Sequence, residues 1–187
     1  MNSEFAVLVN LLRRDGSEPF LNWLRSTDFF TAPASTASHG AWAGGLLAHC
    51  VGVAQILLGL TERNNISWQS PDSPVLIGLC HDLCKVNSYK EVIRNVRDAS
   101  GAWKQMPYYI IDEDQPLGHG EKSVILLSQF LRLTQEEIYC IRWHMSSFDA
   151  REDRIAAEKA ISLCPQILWV RTADRLEAQK STSPLAA

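Results

Sequence analysis

Charge of one sign is scarce in this chain. Its 187 residues hold 18 Lys and Arg against 21 Asp and Glu, a formal net charge of −3. That balance excludes a general attraction to nucleic acid or to an anionic membrane, so any charge that binds phosphate has to be local. An uninterrupted apolar run long enough to span a bilayer is also missing, and no membrane partner is expected. The opening Met1-Asn2-Ser3-Glu4 has neither the basic flank nor the apolar core of a secretory leader. Cysteine is odd in number (Cys50, Cys80, Cys84, Cys140 and Cys164) and lacks the Cys-x-x-Cys pair of a zinc knuckle. Each thiol falls in an apolar, helix-like context, which predicts five reduced core cysteines in a cytoplasmic protein. There is no internal repeat and no composition break that marks a second domain. A single domain over 1–187 is expected, because a chain that is 46% hydrophobic can bury a sizeable core by itself.

What is present reads mostly as helix. Ser3–Leu12 and Ser17–Arg25 look like short amphipathic helices, the second with Ser17 as N-cap and Pro19 in its first turn. A loop rich in small residues runs from Thr31 to Gly45. From Gly45 to about Arg63 the apolar residues Leu46, Cys50, Val53, Leu57 and Leu60 keep to one helical face. Ser73-Pro74 is expected to open a helix that carries His81 and Asp82, with Lys85 one turn beyond His81 on the same face. Tyr89–Val96 and Trp103–Ile111 are β-favouring runs and predict an inserted hairpin. His119 opens a helix to about Leu131. Thr134-Gln135-Glu136-Glu137 is a capping box for a helix ending near Trp143, and Asp149 is a candidate cap for the one after. A last helix starts near Pro165 and carries Asp174, and the tail from Ser181 is expected to fray. The fold class is therefore all-α with a small inserted β-hairpin.

Histidine is sparse, with five residues, yet four of them fall into an ordered set with two aspartates: His49, His81-Asp82, His119, His144 and Asp174. The dyad His81-Asp82 lies inside Leu79-Cys80-His81-Asp82-Leu83-Cys84-Lys85-Val86. Burying an imidazole and a carboxylate among leucines is costly unless something pairs with both, and a divalent cation does so. Asp149 and Asp153 compete with Asp174 by spacing. Asp174 is preferred because Thr172-Ala173-Asp174-Arg175-Leu176 lies in an apolar helix.

This ordered set resembles the HD superfamily of metal-dependent phosphohydrolases, over about residues 39–180. Imidazole and carboxylate donors suit manganese, iron, zinc, cobalt or magnesium, and not a soft thiolate site. A one-metal site needs only His49, His81, Asp82 and Asp174. The further His119 and His144 match the two-metal branch, and the resemblance then implies that Asp82 bridges two ions. One ion would take His49, His81 and Asp174, and the other His119 with His144. The implied chemistry is cleavage of a P–O bond by metal-activated hydroxide, with Asp82 and Lys85 as catalytic residues. The expected substrate is a small phosphorylated molecule, a nucleotide or short phosphodiester, and not a long nucleic acid.

Substrate contacts are expected from Lys85, from His39 and from the hairpin residues Lys90, Arg94, Lys104 and Tyr108, since cations hold phosphate while an aromatic face stacks on a base. The segment His39–His49 is similar to the entry of the HD domain in certain bacterial 3′→5′ exoribonucleases and relaxase-associated proteins. There Gly44-Gly45 would let backbone approach phosphate at a helix N-terminus. The Gly-Tyr-Pro signature of one dinucleotide-cleaving subgroup is absent after His144. Two other readings share the pattern: a catalytically silent nucleotide-binding module, and a di-iron oxygenase.

Overall fold

The apolar face that begins at Leu46 builds one long helix, on which three other helices pack. In the computed structural model, which describes residues 3–97, 100–145 and 151–180, the helices are α1 (Ser3–Val9), α2 (Ser17–Arg25), α3 (Gly45–Asn64), α4 (Ser73–Cys80), α5 (His119–Ser128), α6 (Gln135–Arg142), α7 (Arg151–Leu163) and α8 (Gln166–Lys180). Strands β1 (Tyr89–Arg97) and β2 (Trp103–Ile111) form the hairpin, and a 3₁₀ turn covers Leu83–Lys85. The fold is mainly helical with a two-stranded insertion, as the sequence pattern predicts.

α3 packs against both α4 and α8. Its residues Leu46, Cys50, Val53, Ala54 and Leu57 are fully buried, as are Leu76 and Ile77 of α4 and Ile167, Val170 and Ala173 of α8. By length and mean hydropathy (1.4) α3 could cross a membrane, but here it is the central helix of the bundle and carries a buried histidine. Gly78 sets its crossing with α4. A Cβ there would come within 2.3 Å of the Ala54 Cα, so only glycine allows the two backbones to lie so close.

α1 and α2 are packing elements. Phe5 and Phe20 sit in the core, and none of their residues reaches the cavity described below. Gly16 in left-handed geometry (φ 91°) caps α2, where Ser17 was expected; this conformation suits glycine far better than serine. The capping box is present: the Thr134 side chain accepts from the Glu137 amide at 3.2 Å, and the Thr134 amide donates to Glu137 Oε2 at 2.8 Å. α1 and α5 are shorter than expected, ending at Val9 and Ser128. The candidate cap Asp149 and the tail from Ser181 lie outside the described residues.

The hairpin pairs Tyr89 with Ile111 and Arg97 with Trp103. Its base is fastened to the body by Lys122, which is buried and donates to Glu113 at 2.8 Å and to Ser88 Oγ at 3.0 Å.

Candidate metal centre

α4 does not continue through the dyad. It ends at Cys80, with His81 as C-cap and Asp82 outside helical geometry (φ −105°, ψ 19°). The expectation of one helix carrying both residues is corrected here. The chain tightens into the 3₁₀ turn, in which side chains three apart eclipse. Lys85 is thereby placed over Asp82 and donates to its Oδ2 at 2.6 Å. It does not share a helical face with His81.

Asp82 is the hub. Its Oδ2 faces His49 Nε2 at 3.4 Å and His81 Nε2 at 3.5 Å. Its Oδ1 faces His119 Nε2 at 2.8 Å and His144 Nε2 at 3.5 Å. Asp174 on α8 reaches His49 Nε2 at 3.2 Å. All six residues of the ordered set are brought together.

The outer ring nitrogens explain why the inner ones are available. His81 Nδ1 donates to the Gly78 carbonyl at 3.0 Å, and His144 Nδ1 to the Ile141 carbonyl at 2.7 Å. A carbonyl can only accept, so a neutral ring keeps its proton on Nδ1 and turns the Nε2 lone pair inward. Burial pushes the His81 pKa down to about 4 and keeps that ring neutral. His49 Nδ1 is held by the Glu177 carboxylate. Gly52 makes this possible, since a Cβ there would lie 2.6 Å from Glu177 Cγ. Carboxylates and carbonyls in these positions orient histidine ligands in metal proteins.

Charge is concentrated at the hub. Burial alone would raise the Asp82 pKa, but Lys85 and the surrounding histidines hold it well below the carboxylate range. Burial opposes charge on His49 as well, yet Asp174, Asp82 and Glu177 keep its pKa well above that of a free imidazole. Asp174 is also buried enough to be raised, and the His49 contact brings it down to about 2.

Three overlapping groups have donor atoms all within 4.8 Å of one another: His49–His81–Asp82, His81–His144–Asp174 and Asp82–Cys84–His119. Ligand bonds near 2 Å require such spacings, so the donor set fits divalent cations. Cys84 was expected to be a packing residue. It is buried, but its Sγ lies 3.3 Å from His119 Nδ1.

The cluster opens into a cavity of about 750 Å³ whose lining includes His39, Asp82, Lys85, Tyr89, Arg171 and Asp174. The His39 ring stands 5.1 Å from that of His49, centre to centre. Gly44-Gly45 plays a different part from the one expected. The amides of Gly44, Gly45 and Leu46 donate to the carbonyls of Thr31, Trp42 and Ala32. These donors close the loop on itself, so they are not offered to phosphate.

The hairpin cations are not brought to the cavity. Side chains alternate across a strand, and Tyr89 and Ile111, a directly paired couple, take the cavity side. Lys90, Arg94, Lys104 and Tyr108 are offset by odd numbers of residues and share the opposite face, where Arg94 stacks on Tyr108 at 3.9 Å.

Glu177, Arg171 and Cys84 were missed from the sequence. For the first two a signal existed: they stand three residues to either side of Asp174, on its helical face. No curated protein and no solved structure matches the chain. A family model for the HD domain matches residues 46–179, the stretch that holds all six clustered residues. With most of its length matched and this cluster at its centre, the chain belongs to the HD-domain family, a superfamily of metal-dependent phosphohydrolases.

Proposed function

We propose that the protein is a metal-dependent phosphohydrolase that cleaves a P–O bond in a nucleotide or a short phosphodiester. The observation that carries this reading is the division of the Asp82 carboxylate, with His49 and His81 on one oxygen and His119 and His144 on the other. Such a division suits two cations sharing one carboxylate. His49, His81 and Asp174 would hold the first ion and His119 with His144 the second. Bound there, divalent ions would supply Lewis acidity and a water of lowered pKa.

The chain's own groups do the rest. Carbonyls hold His81 and His144 in one tautomer, and the Glu177 carboxylate orients the His49 ring. Lys85 keeps Asp82 ionised and lines the cavity, where its ammonium would offset charge growing on a phosphoryl oxygen. His39 borders the same space. A cavity of about 750 Å³ matches the size of small-molecule sites, which favours a nucleotide over a polymer track.

The test is a hydrolysis screen with manganese over nucleoside mono-, di- and triphosphates, cyclic nucleotides, cyclic dinucleotides and short oligonucleotides, with Asp82→Ala as control and bound metal measured in parallel. Turnover of one class is expected, with metal and activity lost together in the variant. Full metal and full activity in Asp82→Ala would falsify the assignment. Bound metal in the wild type without any turnover would favour a binding module.

A further inference from the structure

Among the described residues, Arg171 is the cavity-lining cation with a buried donor left unsatisfied. Its Nε donates to the Trp143 carbonyl at 3.0 Å, which pins the guanidinium to the cavity wall. Its Nη2 is buried and has no hydrogen-bond partner among the described residues. The other two arginines anchored within the body are served differently. Arg14 is gripped by Asp72 and Glu137, and Arg142 by Glu121 and Asp153. An arginine stays charged in a protein, and a partly buried cation without a counter-charge costs free energy that packing does not return. Burial accordingly presses its pKa down, with no carboxylate to oppose it.

Position gives this group a meaning. Arg171 precedes Asp174 by three residues on α8, so the two side chains share a helical face about 4.5 Å apart along the axis, and both line the cavity. With Nε taken by the Trp143 carbonyl and Nη2 buried, Nη1 and the guanidinium charge are what this side chain can turn to a phosphate oxygen one turn from the reacting centre.

Resting on the phosphohydrolase reading and deepening it, we propose that Arg171 anchors a second phosphate of the substrate, next to the one that reacts at the Asp82 cluster. Preferred substrates then carry two phosphates, joined either by an anhydride or through a nucleoside. Single-phosphate compounds leave the anchor empty and bind more weakly.

The first test needs no turnover. Pyrophosphate is titrated calorimetrically into protein stripped of divalent ions, comparing wild type, Asp82→Asn, Arg171→Gln and Arg171→Met. Charge-assisted hydrogen bonds of the usual strength predict a loss of roughly 10–100-fold in affinity for both Arg171 variants. Asp82→Asn should retain binding. The Met variant should keep or raise the thermal midpoint, because it removes an unsatisfied buried cation, so lost binding in a folded Arg171→Met protein is a site effect and not unfolding. Equal pyrophosphate affinity in wild type and Arg171→Gln overturns the proposal.

The second test uses the metal-loaded enzyme with a nucleoside diphosphate, a 5′-phosphorylated dinucleotide and a nucleoside monophosphate. KM should rise in Arg171→Gln for whichever two-phosphate class is the substrate, the diphosphate marking an anhydride and the dinucleotide a diester, with little change for the monophosphate. A uniform change across all three overturns it. If no phosphate compound is turned over but pyrophosphate binding still depends on Arg171, the hydrolase reading fails and the anion site stands. Turnover that is indifferent to Arg171 gives the reverse.

Discussion

At His49 the two ring nitrogens have separate duties. Nε2 faces Asp82 and Asp174, while Nδ1 is held by Glu177. Removing the outer partner should leave the ring free to rotate or change tautomer. Glu177→Ala is expected to weaken metal binding by about 10–100-fold, read by competition with a fluorescent chelator. Glu177→Gln, whose amide oxygen still accepts, should lose less. Gly52→Ala should act in the same direction, because its new Cβ reaches Glu177 Cγ at 2.6 Å. Wild-type affinity in all three variants would remove Glu177 from the account. The residue was within reach of the sequence as the second carboxylate on the Asp174 face. Nothing in a string of residues, however, says which helix that face meets.

Among the elements, α3 and α4 show how a crossing serves the site. Gly78 lets the backbones approach, and its own carbonyl accepts from His81 Nδ1 at 3.0 Å. Two effects of Gly78→Ala oppose each other. Helix propensity favours Ala by up to ~1 kcal/mol. Overpacking against the Ala54 backbone, with nothing flexible to give way, costs about 1–3 kcal/mol. The clash is expected to win, and urea denaturation should show a net loss of stability, accompanied by weaker metal binding as His81 shifts. A gain in stability would mean that the helices can part without cost. The 3₁₀ turn carries a similar lesson. The spacing from His81 to Lys85 reads as one turn of α-helix, whereas the observed turn is tighter and hands Lys85 to Asp82. Local sequence cannot separate these outcomes, because the Asp82 that Lys85 meets is itself surrounded by His49, His119 and His144 from other elements.

For the whole molecule, Arg14 ties three remote segments. Its guanidinium meets Asp72 at 2.6 Å ahead of α4 and Glu137 at 2.5 Å on α6, and Glu137 also accepts from Ser73 Oγ at 2.6 Å. Burial would raise both carboxyls, but Arg14 and the neighbouring hydroxyls hold them below their ordinary values of 3.8 and 4.5. A carboxyl whose pKa is depressed on folding stabilises the native state fully above its unfolded value. That stability is lost as pH falls through the folded value. The wild type should therefore lose stability below about pH 4.5. Glu137→Gln should be about 1–3 kcal/mol less stable at neutral pH, since it strips one of two carboxylates from a partly buried Arg14 that keeps Asp72, and should show a flatter acid limb. Parallel acid limbs in denaturant melts from pH 7 to 3 would show that Glu137 is not the group responsible.

The sequence alone determined the long apolar face of α3, the capping box at Thr134, the hairpin, and the order of histidines and aspartates that marks the family. All of these rest on spacing within one element or on residue type, which the chain carries locally. Tertiary structure decided the rest. It chose Gly78 O, Ile141 O and Glu177 as outer partners of the imidazoles, and divided the two oxygens of Asp82 between histidine pairs. It also turned Lys90, Arg94, Lys104 and Tyr108 away from the cavity and left Arg171 lining it with no carboxylate paired to it among the described residues. Each of these depends on how elements cross, and a crossing is set by packing between residues far apart in the chain.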